Sequence, residues 1–144
     1  MDLQFRSLTI ECLNEIELLL RRNQLPFEDC VEHLNNFIGV KVRNRLVAVG
    51  GYQLVGHYAL LRSCAVTSDY KGKGIGAEIV KQLLTRLKSL GIDQVYLLTE
   101  SAECYFERFG FQTIERDLVP NVIRSTKQFD SLCPSTASVM QLQY

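Results

Sequence analysis

The sequence has no net charge, since 16 Lys and Arg balance 16 Asp and Glu. This argues against a nucleic-acid partner held by a broad positive field and leaves room only for a local basic patch. No apolar run reaches the ~18 residues that a membrane span requires. The N-terminal stretch "MDLQFRSLTIECLNE" carries early acids where a signal peptide needs an apolar core. A cytoplasmic protein with no membrane partner is expected. Histidines are sparse, with only His33 and His57, and the five cysteines are an odd number, widely spaced and without a C-x-x-C pair. A disulfide framework and a zinc site are both disfavoured, so reduced thiols and no bound metal are expected. Internal repeats and low-complexity segments are absent as well.

What remains is 144 residues, read as one domain spanning 1–144. A chain of this length can bury roughly two-thirds of its unfolded surface without a covalent staple. "LQFRSL" reads as a short strand. "TIECLNEIELLLRRN" reads as a helix with Thr9 as N-cap and Ile10, Leu13, Ile16 and Leu20 on one face. Pro26 is placed at the first position of a second helix, "PFEDCVEHL". "NFIGVKV" and "LVAVGGYQLV", separated by "RNR", predict a hairpin, with a bulge or bend at Gly50, Gly51 and Gly56. "HYALLRSCAV" is a third strand of this run. From Ile75 to Leu90 the apolar positions fit one helix face, and Gly91 stops that helix. The strand "IDQVYLLT", a short helix "SAECYFERFG" with Ser101 as its cap, the strand "FQTIER" and a final strand near "ASVMQLQ" complete the order β-αα-β-β-β-α-β-α-β-β. The sheet is therefore mixed, with one central parallel β-α-β unit.

The most informative stretch lies between the third strand and the long helix: "TSDYKGKGIGAE". A helix start offers free N–H groups and about half a positive charge. The glycines let backbone approach an anion, and Lys71 and Lys73 add charge, so residues 71–77 predict a phosphate or pyrophosphate site. A P-loop is excluded because Gly76 is followed by Ala77 and Glu78, not Lys-Ser/Thr. Gly72, Gly74 and Ala77 do spell G-x-G-x-x-A, and Glu100 ends the next strand as a ribose-binding acid would. Against a dinucleotide fold stand the "TSDYK" spacer and a first half spent on helices and a hairpin.

The loop resembles the acetyl-CoA motif Q/R-x-x-G-x-G/A of the GNAT superfamily of N-acetyltransferases, with Lys71 at the Q/R position and Gly74 and Gly76 at the glycines. Lys71 departs from the pattern at a place where the family's backbone amides carry most of the contact. "CYFERFGF", Cys104 to Phe111, is similar to the family's second block, an aromatic helix ending in Gly-Phe. "LLRSCAV", the R-D-x-x-P of Arg116–Pro120 and the F-x-S-L-C-P of Phe129–Pro134 are similar to a small subgroup found with arsenic-resistance genes, whose members acetylate amino-acid-like acids. The resemblance implies an α/β fold (α+β in some schemes): a mixed, mostly antiparallel central sheet with a splayed pair of strands and flanking helices. It implies acetyl-CoA as co-substrate, a small-molecule amine as acceptor, and direct transfer between them. A homodimer through the final strand is the expectation by analogy. The rivals are protein N-acetylation by the same fold and a noncatalytic acyl-CoA sensor.

The resemblance also assigns residues. The donor is expected on Lys71, Gly72, Lys73, Gly74, Ile75, Gly76 and Ala77, with its pantetheine arm against Cys64, Ala65 and Val66 and with Phe106 beside it. Many relatives carry a thiolate-protonating tyrosine where this chain has Phe106; Tyr105 is adjacent but about 100° round the helix. Tyr105 is thus either an acid or a packing ring. Glu100 is either a base or water-relay partner, or else a cap or solvated loop acid. Cys64 and Cys104 read as small core residues, not nucleophiles. Arg62, a charge inside an apolar strand, is suited to grip a substrate carboxylate. Arg43, Arg45 and Arg116 rank behind it, and the alternative for each is an exposed surface arginine. If Arg62 is the grip, Arg62→Ala raises KM for an acidic amino acid far more than KM for acetyl-CoA in steady-state kinetics; equal KM values with and without it exclude the role.

Overall fold

The computed structural model describes residues 3–133 and 135–144. Pro134, the last residue of the F-x-S-L-C-P stretch, lies outside the described residues. Seven strands form one sheet: β1 (Gln4–Ser7), β2 (Phe37–Val42), β3 (Arg45–Val55), β4 (Tyr58–Val66), β5 (Gln94–Thr99), β6 (Gln112–Ile114) and β7 (Ser138–Gln143), in the order β1-β2-β3-β4-β5-β7-β6. The helices are α1 (Leu13–Arg22), α2 (Ile75–Ser89), α3 (Glu103–Glu107) and α4 (Asn121–Arg124). The expected mixed, mostly antiparallel sheet with flanking helices is present. Among the described residues no helix is long and apolar enough to cross a membrane. The chain divides into two compact units, Met1–Tyr52 with Arg62–Thr85, and Gln53–Leu61 with Arg86–Tyr144.

In the first unit β1 pairs antiparallel with β2, and β2 with β3. The β2–β3 turn is two residues, Arg43 and Asn44, both with positive φ (51° and 65°). That handedness matches strand twist and closes a tight hairpin. The expected bend is present at Gly56, which takes φ 62° in the turn between β3 and β4, but the bulge is not at Gly50 or Gly51. Val40 pairs with Ala48 but Lys41 with Leu46, so Val47 is the extra residue. Gly50 and Gly51 serve packing instead. A Cβ on Gly50 would stand 2.5 Å from Ile79, and one on Gly51 would stand 2.2 Å from the Phe37 ring. α1 buries Ile16, Leu19 and Leu20 against Phe37, Leu46 and Val49. Ile10 is 61% exposed, because the chain enters α1 through a 3-10 turn at Ile10–Cys12 that rotates Ile10 off the apolar face. Thr9 holds the cap position of that turn without a side-chain cap bond. The expected second α-helix is a 3-10 segment, Cys30–Asn36, built on i→i+3 bonds such as Glu32 N–H to the Asp29 carbonyl (3.0 Å), and Pro26 precedes it in irregular chain.

In the second unit β4 and β5 run parallel through Tyr58↔Gln94, Ala59↔Val95 and Leu60↔Tyr96, and both strands continue past these pairs. β7 pairs antiparallel with β5 on one edge and with β6 on the other. Both of its edges are thus occupied within the chain. Tyr96 Oη donates to Gln94 Oε1 (2.5 Å), and Gln141 Nε2 donates to Gln94 Oε1 (3.0 Å) and to Tyr96 Oη (2.9 Å). The network satisfies polar groups beside the buried Leu60, Val119, Ile123 and Val139. α2 ends as its sequence predicts. Gly91 has φ 81°, its N–H reaches the Lys88 carbonyl (3.1 Å), and the Ile92 N–H reaches that of Leu87 (3.1 Å). Leu90 falls beyond the apolar face and is 55% exposed. Ser101 does not cap α3. Ala102 holds that position, and its N–H bonds Thr99 Oγ1 (3.0 Å).

Phe37 leaves no room at Gly51, so Gly51→Ala is expected to lower the unfolding free energy by about 1–3 kcal/mol, read from urea denaturation. A stability unchanged from wild type would show that the ring yields freely.

Candidate active site

The first unit carries the glycine loop. β4 hands over at Thr67, whose N–H is held by the Val47 carbonyl (2.8 Å), to a 3-10 turn at Ser68–Tyr70. Arg45 grips that turn from the hairpin, donating to both oxygens of Asp69 (3.1 Å each) and to Thr67 Oγ1 (3.4 Å). Its hydrogen bond holds the Asp69 carboxyl below the usual range. Arg45 is therefore a brace for the loop, with its fork already engaged by an internal carboxylate. Gly72 and Gly74 take φ of 78° and 80°, and among the described residues nothing stands within 4 Å of a Cβ placed on either. Ile75, 2% exposed, pins the start of α2. The first helical bond runs from the Glu78 N–H to the Gly74 carbonyl (3.1 Å). By helix geometry the amides of Gly74, Ile75, Gly76 and Ala77 have no acceptor within the helix. With exposed Lys71 and Lys73 alongside, this backbone fits a pyrophosphate.

Behind the loop lies the strand segment expected to receive the pantetheine arm. Cys64 Sγ lies 3.6 Å from the Arg62 carbonyl oxygen, and burial pushes its thiol up to about 12, so it is neutral near pH 7 and unsuited to attack. Cys30 is likewise pushed up by burial to about 11. Cys104, expected in the core, is exposed on α3 because the burying side of that short helix is taken by aromatic rings.

Arg62 is neither a surface arginine nor an open grip. It is 3% exposed, and its guanidinium donates through Nη1 to Asp29 Oδ2 (2.7 Å), through Nη2 to Asp29 Oδ1, and through Nε to Ser63 Oγ (3.1 Å). It lies 5.9 Å from the centre of the Phe37 ring. The carboxylate it binds is the chain's own. Burial alone would raise the Asp29 carboxyl, but the Arg62 hydrogen bonds and charge, with His33 Nε2 at 3.8 Å, hold it below the usual range. Ser63 follows at φ 60°, a left-handed residue inside a strand. Asp29 and Ser63 escaped the sequence reading: Asp29 is 33 residues from its partner and shares no period with it, and a serine carries no mark of left-handed backbone.

In the second unit Glu100 is exposed in the bend after β5. Tyr105 is half-buried, with its ring centre 5.2 Å from that of Phe106, 5.5 Å from that of Phe109 and 4.3 Å from the Arg108 guanidinium. Phe106 also meets Phe111 edge-on at 6.0 Å. Arg116 donates to the Ala137 carbonyl (2.7 Å) and lies over Phe129 at 4.8 Å. Arg43 is exposed in the β2–β3 turn.

The sequence model of the Acetyltransferase (GNAT) family matches residues 4–111. The chain belongs to the GNAT acetyltransferase family. It is 28% identical over 109 residues to the uncharacterized N-acetyltransferase CT2212 of Chlorobaculum tepidum, covering 74% of this chain and 66% of that protein. It is 27% identical over 133 residues to an amino-acid acetyltransferase of Mycobacterium tuberculosis, covering 89% and 73%. The crystal structure of Rv2747 from Mycobacterium tuberculosis, in complex with CoA and NLQ, superimposes with a TM-score of 0.82 at 22% identity, over 98% of this chain and 99% of that one. This GNAT chain thus shares its fold with a protein crystallised with CoA.

Removing the Asp29 carboxylate strands a buried guanidinium, so Asp29→Ala is expected to cost about 3–5 kcal/mol of stability in urea denaturation. The lowered Asp29 ionisation sets the pH window. Its contribution is complete above the unfolded carboxyl's value of 3.8 and is lost as pH falls through the lower folded value. The gap in Tm between wild type and Asp29→Asn should therefore narrow only in strong acid.

Proposed function

We propose that this GNAT chain transfers the acetyl group of acetyl-CoA directly to the primary amine of a small amino-acid-like molecule. The observation that carries the donor assignment is the open, positive-φ backbone at Gly72 and Gly74 in front of four uncommitted α2 amides. Acetyl-CoA, when bound, supplies an activated thioester. The amides of Gly74–Ala77 hold the pyrophosphate, Lys71 and Lys73 add charge, and the backbone of Cys64, Ala65 and Val66 offers strand-type bonds to the pantetheine amides. Backbone N–H groups near Val66 polarise the thioester carbonyl. Glu100 accepts the proton that the incoming ammonium must lose, directly or through water. The new N–C bond forms as the C–S bond breaks, and the leaving thiolate takes a proton, for which Tyr105 is the side-chain candidate.

The acceptor class rests on the Mycobacterium tuberculosis relative, named an amino-acid acetyltransferase, and on the subgroup resemblance of "LLRSCAV". With Arg62 and Arg45 committed to Asp29 and Asp69, and Arg116 engaged with the Ala137 carbonyl and Phe129, exposed Arg43 is the candidate among these four for an acceptor carboxylate. Phe106 at the usual acid position favours one second reading, a coenzyme-binding sensor. A thiol-release assay with acetyl-CoA across free amino acids and their phosphinate or arsenical analogues decides between them. Turnover on any of them supports the enzyme; coenzyme A protection in a thermal shift with no turnover on any supports the sensor.

Gly74→Ala forces a side chain into left-handed backbone at the phosphate face, an expected loss of about 1–2 kcal/mol. KM for acetyl-CoA should rise about tenfold, with KM for the amine unchanged. An unaltered acetyl-CoA KM would remove Gly74 from the donor site.

A further inference from the structure

The geometry points to the Asp29–Arg62–Ser63 group as a positioning device that fixes how the Cys64–Val66 backbone faces the acetyl donor. This rests on the reading that those three residues receive the pantetheine arm.

On a regular strand, residues 62 and 64 point to the same face. Here they do not. A Cβ on Gly50 would meet Ile79 and lie 3.4 Å from Cys64 Sγ, whereas a Cβ on Gly51, one residue on, would meet Phe37. Successive β3 residues face opposite sides, so Cys64 shares the α2 side and Arg62, against Phe37, shares the other. The residue that reverses the alternation is Ser63, at φ 60°. Serine adopts that backbone only when its surroundings impose it. The Arg62 side chain supplies the restraint. Its Nε donates to Ser63 Oγ (3.1 Å), and its two terminal nitrogens are clamped by Asp29, the cap residue of the 3-10 segment outside the strand. The fork therefore reads as a tie between a left-handed serine and a neighbouring element. If Ser63 relaxed to extended backbone, the alternation would return and every peptide group after it would change face. The side chain of Arg62 has 0% exposure and that of Asp29 3%, so a substrate carboxylate could reach the fork only by displacing Asp29.

Asp29→Leu/Arg62→Met removes both charges together, which avoids an orphaned ion and keeps the chain foldable. Calorimetry with coenzyme A and steady-state kinetics then read the outcome, beside a thermal melt. The double variant is expected to bind coenzyme A about tenfold more weakly and to raise KM for acetyl-CoA in step, with KM for the amine within about twofold. Adding Ser63→Gly, which adopts positive φ without restraint, is expected to restore coenzyme A affinity. A rise confined to the amine KM overturns the proposal in favour of a substrate grip. Unchanged affinity in a folded double variant, or weakened affinity that Ser63→Gly does not restore, also overturns it. A wild-type protein that fails to bind coenzyme A overturns the donor reading itself, a result distinct from the others.

Discussion

A guanidinium sealed from water needs a carboxylate, and much of the first unit follows from that. A guanidinium is the side chain least able to shed its charge on burial, so Arg62 in the middle of β4 obliges some acid to come to it. Asp29 does so, and the start of the 3-10 segment that it precedes must lie against the strand. Such a pair contributes little net stability once desolvation is counted, but it penalises every arrangement that separates its members. Its value here is specificity: it fixes where the segment after α1 ends and which way β4 turns at Ser63.

Backbone and side chains divide the work of the site. The glycine loop, the proposed donor site, is made from amides, glycine torsions and one helix start, with Arg45 and Asp69 bracing it. Amides are the same in every protein, so such a cradle leaves its trace in the glycine pattern alone. Recognition of an acceptor rests on particular side chains, and the arginines of this chain illustrate how deceptive these are in one dimension. Arg62 and Arg45 both look available in the sequence, and both are spent on the chain's own carboxylates.

The same contrast explains what the sequence made legible. The strands were readable as continuous apolar, β-rich runs, α2 because a 3.6 period persists over its length, and its stop because Gly91 occupies a conformation that favours glycine. The short elements were harder. The apolar residues of "PFEDCVEHL" are too few to fix a period, and from Cys30 the chain took the tighter helix. Ala102, not Ser101, took the cap position of α3, its own N–H held by Thr99 Oγ1. The bulge at Val47 and the left-handed Ser63 are imposed by neighbouring strands and by Arg62, so no local residue announces them. Asp29 was invisible for the same reason, its partner being close only in the folded chain.

The place of β7 has a consequence for how the protein is made. β5 and β6 are linked in the sheet by β7, residues 138–143, which lies between them and leaves the ribosome after both. Until then each strand waits with an open row of N–H and C=O groups, the condition under which strands pair with wrong partners. The second unit thus completes its sheet late, by insertion of a strand between two already synthesised. Its early chain is guarded less by structure than by brevity: β6 is only three residues long, too short to template a stranger.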